Sequence, residues 1–179
     1  NTKSFTGKRI LCVAALVSMK RLDLTIKAVA KVEGASLTLV GKGEQEQQLN
    51  NLGQELMPGR LTIKSVDYKN MPSVYKNADL FTFPTSPWES FGIAMLEAMA
   101  SGLPVIALKN SDLEELVIDK KTGYLLEPNA KKIVEKINEI IKDKKSYYDL
   151  SWKTYEYALN FSAKNTAQKL FDLYTSFKK

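Results

Sequence analysis

The stretch that decides the fold is residues 89–108, ESFGIAMLEAMASGLPVIAL. From Ile93 to Ala100 every residue except Glu97 is apolar, which predicts a helix that is buried on nearly every side. Gly102 suits the left-handed residue that follows a helix, and Pro104 cannot continue one, so the apolar run after it predicts a strand. A buried carboxylate is costly unless it is paired or hydrogen-bonded. Glu97 therefore needs a partner, supplied either by the protein or by a ligand.

Strands built from apolar runs alternate along the chain with helical patterns, which indicates a parallel sheet covered on both faces. The predicted strands lie in Lys8–Val17, Ser36–Val40, Leu61–Val66, Leu80–Phe83, Val105–Leu108 and Tyr124–Leu126. The predicted helices are Asp23–Val32, Glu44–Leu56, Met71–Asn77, Ile93–Ala100, a short one near Leu113–Ile118, Ala130–Asp143, Tyr147–Leu159 and Ala163–Phe177. We expect one doubly wound, Rossmann-like α/β domain of about six strands over residues 1–179.

Composition limits the functions that this chain can have. Its 179 residues suffice for one domain, and 44% apolar with 26% charged residues is ordinary for a globular protein. The absence of His and the single Cys12, which lies in a predicted strand, exclude Ser-His-Asp and Cys-His catalysis and any His or Cys metal site. No apolar run is long enough to span a membrane. Because the sequence starts at Asn1 without Met or a signal peptide, we expect a cytoplasmic piece of a longer protein.

The formal charge of +6 is unevenly distributed. Residues 120–179 carry 13 Lys/Arg against 7 Asp/Glu, whereas residues 1–119 carry 13 of each. Six lysines accompany an isoleucine stripe at helical spacing: Lys131, Lys132, Lys136, Lys142, Lys144 and Lys145. They fit either the solvated face of a packed helix or a basic face that contacts anionic lipid at the inner membrane surface. No motif that reads nucleic acid accompanies them.

Ligands of doubly wound sheets bind at the carboxyl ends of the strands. The loops predicted there are Val17–Arg21, Gly41–Gly43, Val66–Asn70, Pro84–Phe91 and Lys109–Asp112. They hold the least usual residues of the chain, so we expect the functional site among them.

Three features of these loops suit a phosphorylated ligand, and each has a plainer interpretation. Gly41-Lys42-Gly43 lets the backbone approach a ligand, or makes a tight turn. Lys20-Arg21 could supply cations to a phosphate, or be surface charge. Gly92 exposes backbone N–H groups at the positive end of a helix, where a diphosphate fits.

The two carboxylates also leave alternatives open. Glu97, on the second turn of the helix, could accept two hydroxyl hydrogen bonds such as a ribose offers, or be paired with an internal Lys or Arg. Glu89 could do the same for a second sugar, or be an exposed loop carboxylate.

The pattern Glu, seven residues, Glu, with its internal Phe-Gly-Ile, resembles the donor-site motif of retaining GT-B glycosyltransferases of the group 1 type. The similarity extends to residues 75–81, YKNADLF, to residues 97–106, EAMASGLPVI, and to Asp119–Pro128. It covers about Lys8 to Pro128, most of the chain. The resemblance implies one half of a GT-B fold, the C-terminal donor-binding domain.

The resemblance also implies roles for individual residues. Glu97 would bind the ribose hydroxyls, Glu89 would contact the transferred hexose near the reacting carbon, and Lys20, with Arg21 nearby, would neutralise the leaving diphosphate without a metal. The remaining donor-binding positions would be backbone at Phe91, Gly92 and Ile93 for diphosphate and sugar, Gly41 and Gly43 along the nucleotide pocket, and Val66 and Tyr68 near the base.

The implied reaction transfers a hexose from UDP-, GDP- or ADP-hexose to a glycan, lipid or other hydroxyl acceptor, as in cell-envelope polysaccharide biosynthesis, with no cofactor. The acceptor domain would be missing, so we expect this chain alone to transfer little sugar, and the final helix resembles the segment that crosses to that domain. Two departures from the family pattern are Ala14-Ala15 for Gly-Arg and Ser111-Asp112 for Gly-Gly. The alternatives are a nucleotide-sugar-binding domain without transfer activity and a GT-B epimerase, hydrolase or phosphorylase relative.

Overall fold

The computed structural model describes residues 5–85, 92–109 and 113–177. Its strands are β1 (Arg9–Val13), β2 (Ser36–Val40), β3 (Leu61–Lys64), β4 (Leu80–Phe83), β5 (Val105–Leu108) and β6 (Gly123–Leu126). Its helices are α1 (Leu22–Val29), α2 (Glu46–Leu56), α3 (Met71–Lys76), α4 (Ile93–Ala100), α5 (Ala130–Lys142), α6 (Lys144–Ala158) and α7 (Ala163–Ser176). Short 3-10 turns at Ser18–Lys20, Tyr68–Asn70 and Leu159–Phe161 join some of them.

The six strands form one parallel sheet in the order β3-β2-β1-β4-β5-β6. This is the doubly wound arrangement, and the strand order reverses between β1 and β4. Alternate residues of each strand face opposite sides, so Ile10 and Cys12 of β1 lie in one apolar cluster and Leu11 lies in the other. Helices α1 and α5 contribute to the first cluster, and α3 and α4 contribute to the second. The predicted Rossmann-like α/β fold is confirmed.

Asp79, the residue before β4, links segments at the amino edge of the sheet. Its side chain is fully buried and accepts from Arg9 Nη2 at 2.7 Å, from Arg9 Nε at 3.0 Å and from Thr6 Oγ1 at 2.7 Å. The main-chain N–H groups of Lys8 and Arg9 also donate to it. These donors satisfy the carboxylate. Asp79 lies in residues 75–81, one of the segments that resemble the family, and its role there is structural and not ligand binding.

The predicted bounds agree with the structure for β2, β4, β5 and α4, and differ elsewhere by a few residues at element ends. The predicted strand Lys8–Val17 ends at Val13, because the chain beyond it bonds to the loop after β2. Near Leu113–Ile118, where a short helix is predicted, Leu113 has 3-10 conformation and a hydrogen-bonded turn follows, closed from Val117 N–H to the carbonyl of Leu113.

Candidate functional site

The loop after β1 and the carboxyl end of β4 flank the crevice where the strand order reverses, which is the usual ligand position in such sheets. Lys20 and Arg21 lie on the β1 side, in the 3-10 turn Ser18–Lys20 and just after it. Arg21 has φ 48° and ψ 38°, a left-handed conformation that is strained for a residue with a side chain. The fold thus brings both predicted cations to the carboxyl edge.

Gly41 and Gly43, after β2, are required by contact within the protein. A Cβ on Gly41 would collide with the carbonyl oxygen of Ala14, and one on Gly43 would collide with the main chain of Leu16. The two loops are joined by hydrogen bonds from Leu16 N–H to Lys42 O at 2.9 Å and from Gln45 N–H to Leu16 O at 2.9 Å. The plainer interpretation, a close-packed turn, therefore explains both glycines; their place along a nucleotide pocket stays a prediction.

Helix α4 begins beside the crevice at Gly92, which has φ 70° and caps the helix without a side-chain hydrogen bond. The carbonyl of Gly92 accepts from Met95 N–H and Leu96 N–H, and the N–H groups of the first turn before Met95 have no acceptor within the helix. Ile93, in the first turn, is 67% exposed. This helix start is a suitable cradle for an anion.

Glu97 lies one turn further along α4 and is half-buried. Its Oε2 atom accepts a hydrogen bond of 2.7 Å from the hydroxyl of Tyr75, a residue of α3 that is 2% exposed. Among the described residues, no Lys or Arg forms an ion pair with Glu97. The protein thus supplies one partner to the carboxylate, and it is a neutral phenol instead of the Lys or Arg of the alternative interpretation.

The sequence did not predict Tyr75 as the partner of Glu97. Burial is the main cause that raises the pKa of its phenol far above the ordinary value, and the hydrogen bond to Glu97 raises it further. Tyr75 therefore remains a neutral donor at any physiological pH. It stands 22 residues before Glu97 on a different helix, so no periodicity in the sequence links the two.

A cleft of about 300 Å³ opens beside Glu97 and is lined also by Tyr68 and Lys69. Tyr68, in the 3-10 turn before α3, is 81% exposed, which leaves its ring accessible to a planar group. Val66 lines a separate groove of about 490 Å³, along with Lys64 and Arg9. The structure brings Tyr68 to the carboxylate and leaves Val66 outside this cleft.

Several predicted site positions lie outside the described residues. Glu89 and Phe91 belong to them, and so do Ser111 and Asp112. Just before the first gap, the hydroxyl of Thr85 is buried and has no hydrogen-bond partner among the residues that the structure describes.

The lysine-rich segment forms a packed helix. Helix α5 buries Ile133, Ile137 and Ile140 against the sheet, and Lys136 lies over the ring of Tyr124 with its Nζ 4.3 Å from the ring centroid. In residues 5–85, 92–109 and 113–177, no group of three His, Cys, Asp or Glu side chains is placed to hold a metal ion, and none of the helices there is long and apolar enough to cross a membrane.

The comparison with known proteins defines the class. The family described as glycosyl transferases group 1 matches residues 2–157, and the chain belongs to that family. It is 29% identical over 168 residues to an uncharacterised glycosyltransferase of Methanocaldococcus jannaschii and 29% identical over 175 residues to D-inositol 3-phosphate glycosyltransferase of Corynebacterium urealyticum. These matches cover 90% and 95% of the chain but 41% and 40% of the relatives. The chain therefore spans about two fifths of the length of these curated relatives.

Solved structures show the same fold. The HepE protein of Anabaena, crystallised with UDP-glucose, superposes with a TM-score of 0.85 at 24% identity, over 94% of this chain and 49% of that one. The family match confirms the resemblance to the group 1 glycosyltransferases that the motifs indicated, and the superposition confirms the fold.

Proposed function

We propose that this chain is the donor-binding domain of a retaining glycosyltransferase, which moves a hexose from a nucleoside-diphosphate sugar to a hydroxyl acceptor. The observation that carries the proposal is the position of Glu97. A half-buried carboxylate, with one hydrogen-bond donor among the described residues, lies in a cleft beside an exposed aromatic ring and one turn from the start of α4 at Gly92. A cis-diol, a base and a diphosphate are the three chemical groups that such a surface can bind, and a nucleotide contains all three.

In this proposal, Glu97 accepts the ribose hydroxyls, Tyr68 stacks on the base, and the N–H groups after Gly92 hold the diphosphate. Lys20 and Arg21, across the crevice, neutralise the charge that grows on the leaving diphosphate. Relatives support a diphosphate donor: HepE was crystallised with UDP-glucose, and a mannosyltransferase of Mycolicibacterium smegmatis, 28% identical over 130 residues, is GDP-mannose-dependent. Base and hexose of this chain's own donor stay open, among UDP-, GDP- and ADP-hexose.

The proposed transfer keeps the configuration at the sugar carbon. The bond from that carbon to the diphosphate oxygen breaks, and the electron pair leaves with the diphosphate. The acceptor oxygen attacks from the same face, and its proton passes to the departing phosphate oxygen. Glu89 would lie against the hexose, and no metal or cofactor takes part. The acceptor would bind to a domain outside this chain, so the chain alone would transfer little sugar.

The exposed aromatic stripe of α6 supports peripheral contact with an anionic membrane. Trp152 is 60% exposed, Tyr148 lies one turn before it, and Lys144 and Lys145 precede them on the same helix. Aromatic rings beside lysines suit the lipid interface. Binding to vesicles of anionic lipid should weaken as salt increases; binding that is absent, or that ignores salt, would leave α6 and α5 with ordinary solvated faces.

Calorimetric titration tests the donor proposal. UDP, GDP and ADP, and then their hexose conjugates, are titrated into the wild-type chain, into Glu97→Ala and into the control Glu135→Ala, whose carboxylate is exposed on α5. At least one nucleotide should bind, and Glu97→Ala should weaken it by about tenfold or more, since a charged acceptor is worth about 1.5–3 kcal/mol. Failure of all three nucleotides to bind, or equal affinity in Glu97→Ala, would refute the donor site.

A further inference from the structure

We propose that Tyr75 is a positioning residue that holds the carboxylate of Glu97 in the orientation that accepts a ribose diol. The inference rests on the proposed function, since it assumes that Glu97 meets the ribose. It concerns which residue sets the side-chain conformation of Glu97, a question that the proposed function leaves open.

The geometry that carries the inference is the hydrogen bond of 2.7 Å from the Tyr75 hydroxyl to Glu97 Oε2. The same hydroxyl lies 3.3 Å from the carbonyl oxygen of Ala94, a longer contact, so its single proton goes to the carboxylate. One oxygen of Glu97 is therefore fixed. For the other oxygen, the described residues provide no hydrogen-bond donor, and Glu97 lines the cleft.

The position of the phenol is itself rigid. The ring of Tyr75 is buried in the same cluster as Met71 and Met95 and packs on Phe81 with ring centroids 6.3 Å apart. Buried side chains in a close-packed cluster occupy one rotamer. The hydroxyl therefore holds the Glu97 carboxylate in one position, because the phenol cannot shift without disturbing the core.

The energetic consequence follows from side-chain entropy. A glutamate has three rotatable bonds, and fixing such a side chain when a ligand binds costs conformational entropy. In this chain the hydrogen bond to Tyr75 removes most of that freedom before a nucleotide arrives. Removal of the hydroxyl should then weaken nucleotide binding by about threefold to tenfold, and the loss should concern the ribose in particular.

The experiment uses Tyr75→Phe, which removes the hydroxyl and retains the ring. UDP, GDP and ADP are titrated into the wild-type chain, and the nucleotide that binds best is compared with its 2′-deoxy analogue. The matched control is Tyr147→Phe: Tyr147 is also 2% exposed, and its hydroxyl donates to the carbonyl of Asp79 at 2.9 Å, on the other side of the sheet. Thermal melts of each variant show whether it is folded at the temperature of the titration.

We expect Tyr75→Phe to bind the ribonucleotide more weakly and to lose most of the preference for ribose over deoxyribose. Tyr147→Phe should lower the melting temperature and leave both affinities unchanged. In a Glu97→Gln background, Tyr75→Phe should cause little further loss, because its effect passes through the carboxylate.

Two outcomes would overturn the inference and differ from failure of the donor site. If Tyr75→Phe weakens the ribose and deoxyribose forms equally, the hydroxyl has a general structural role. If Tyr75→Phe binds like the wild type while Glu97→Gln binds weakly, the carboxylate needs no positioning. Failure of Glu97→Gln to weaken binding would instead refute the role of Glu97 itself.

Discussion

The carbonyl oxygen of Ala14 lies where a Cβ atom on Gly41 would have to be. This close contact joins the loop after β1 to the loop after β2. A hydrogen bond of 2.9 Å from Leu16 N–H to the carbonyl of Lys42 also links the two loops. The loop that carries Lys20 thus depends on a glycine in a different strand-end loop.

Gly41→Ala should destabilise the fold, because a main-chain carbonyl cannot move aside as a flexible side chain could. We expect the free energy of unfolding to fall by about 1–3 kcal/mol or more, measured by urea denaturation. The control is Lys42→Ala, an exposed position between the two glycines, which should change it by less than about 0.5 kcal/mol. A Gly41→Ala variant as stable as the wild type would show that the two loops are not packed as described.

The glycine pair shows where local sequence stops being informative. Gly41-Lys42-Gly43 predicts a backbone that approaches something closely, but the sequence does not say whether that is a ligand or another loop. The partner, Ala14, becomes a neighbour only through the pairing of β1 with β2. Such contacts between distant segments depend on tertiary packing, which local propensity does not encode.

Arg21 adopts a left-handed conformation at φ 48°, which a glycine would adopt without strain. Arg21 lies beside Lys20 at the carboxyl edge. Substitution by glycine can therefore separate the effect of its backbone strain on stability from the effect of its side chain on ligand binding. Arg21→Gly should leave the free energy of unfolding equal or raise it by up to about 1 kcal/mol, since relief of strain outweighs the added freedom of the unfolded chain. It should also weaken binding of the nucleoside diphosphate, if the guanidinium meets the diphosphate as proposed.

Lys120 provides the matched control, since it is the other described residue with a side chain and a positive φ, 64°. It lies in the turn before β6, where its N–H donates to the carbonyl of Gly123 at 2.8 Å. Lys120→Gly should change stability in the same direction and leave nucleotide affinity unchanged. Equal loss of affinity in both variants would remove Arg21 from the donor site.

Asp79 should determine how the free energy of unfolding falls at acid pH. Burial alone would raise the pKa of its carboxyl group, but hydrogen bonds from Arg9 and Thr6 outweigh it and hold the pKa below the ordinary value. A carboxyl group with a lower pKa in the folded chain stabilises that chain at pH values above its unfolded-state pKa of about 3.9. The contribution is lost as the pH falls through the folded-state pKa.

Asp79→Asn should therefore cost about 1.5–3 kcal/mol at neutral pH, because it removes charge-assisted hydrogen bonds to a buried acceptor while the partly exposed Arg9 can still reach water. The difference from the wild type should shrink below about pH 4, as measured by denaturation at a series of pH values. The control is Asp23→Asn, whose ion pair with Lys27 is exposed and should be worth less than about 0.5 kcal/mol. A difference that is constant down to pH ~2 would exclude linkage through this carboxyl group.

Most of the fold followed from the sequence because apolar runs and glycine or proline boundaries are local signals. The residues of α4 and β5 illustrate this, since Gly102 and Pro104 separate them where the structure does. The site followed less completely. The sequence predicted that Glu97 needs a partner, either a ligand or an internal Lys or Arg. The structure shows a hydrogen bond from Tyr75, on a helix whose position beside α4 is set by packing.

Helix α7 should contribute little to the stability of this domain. None of its residues is buried, and Phe171 is 64% exposed on it. Phe171→Ala should change the free energy of unfolding by less than about 0.5 kcal/mol, whereas Leu150→Ala, at a buried position of α6, should cost about 2–5 kcal/mol. Both are measured by urea denaturation. A large loss in Phe171→Ala would show that α7 packs against this domain, and it would contradict the prediction that this helix crosses to a second one.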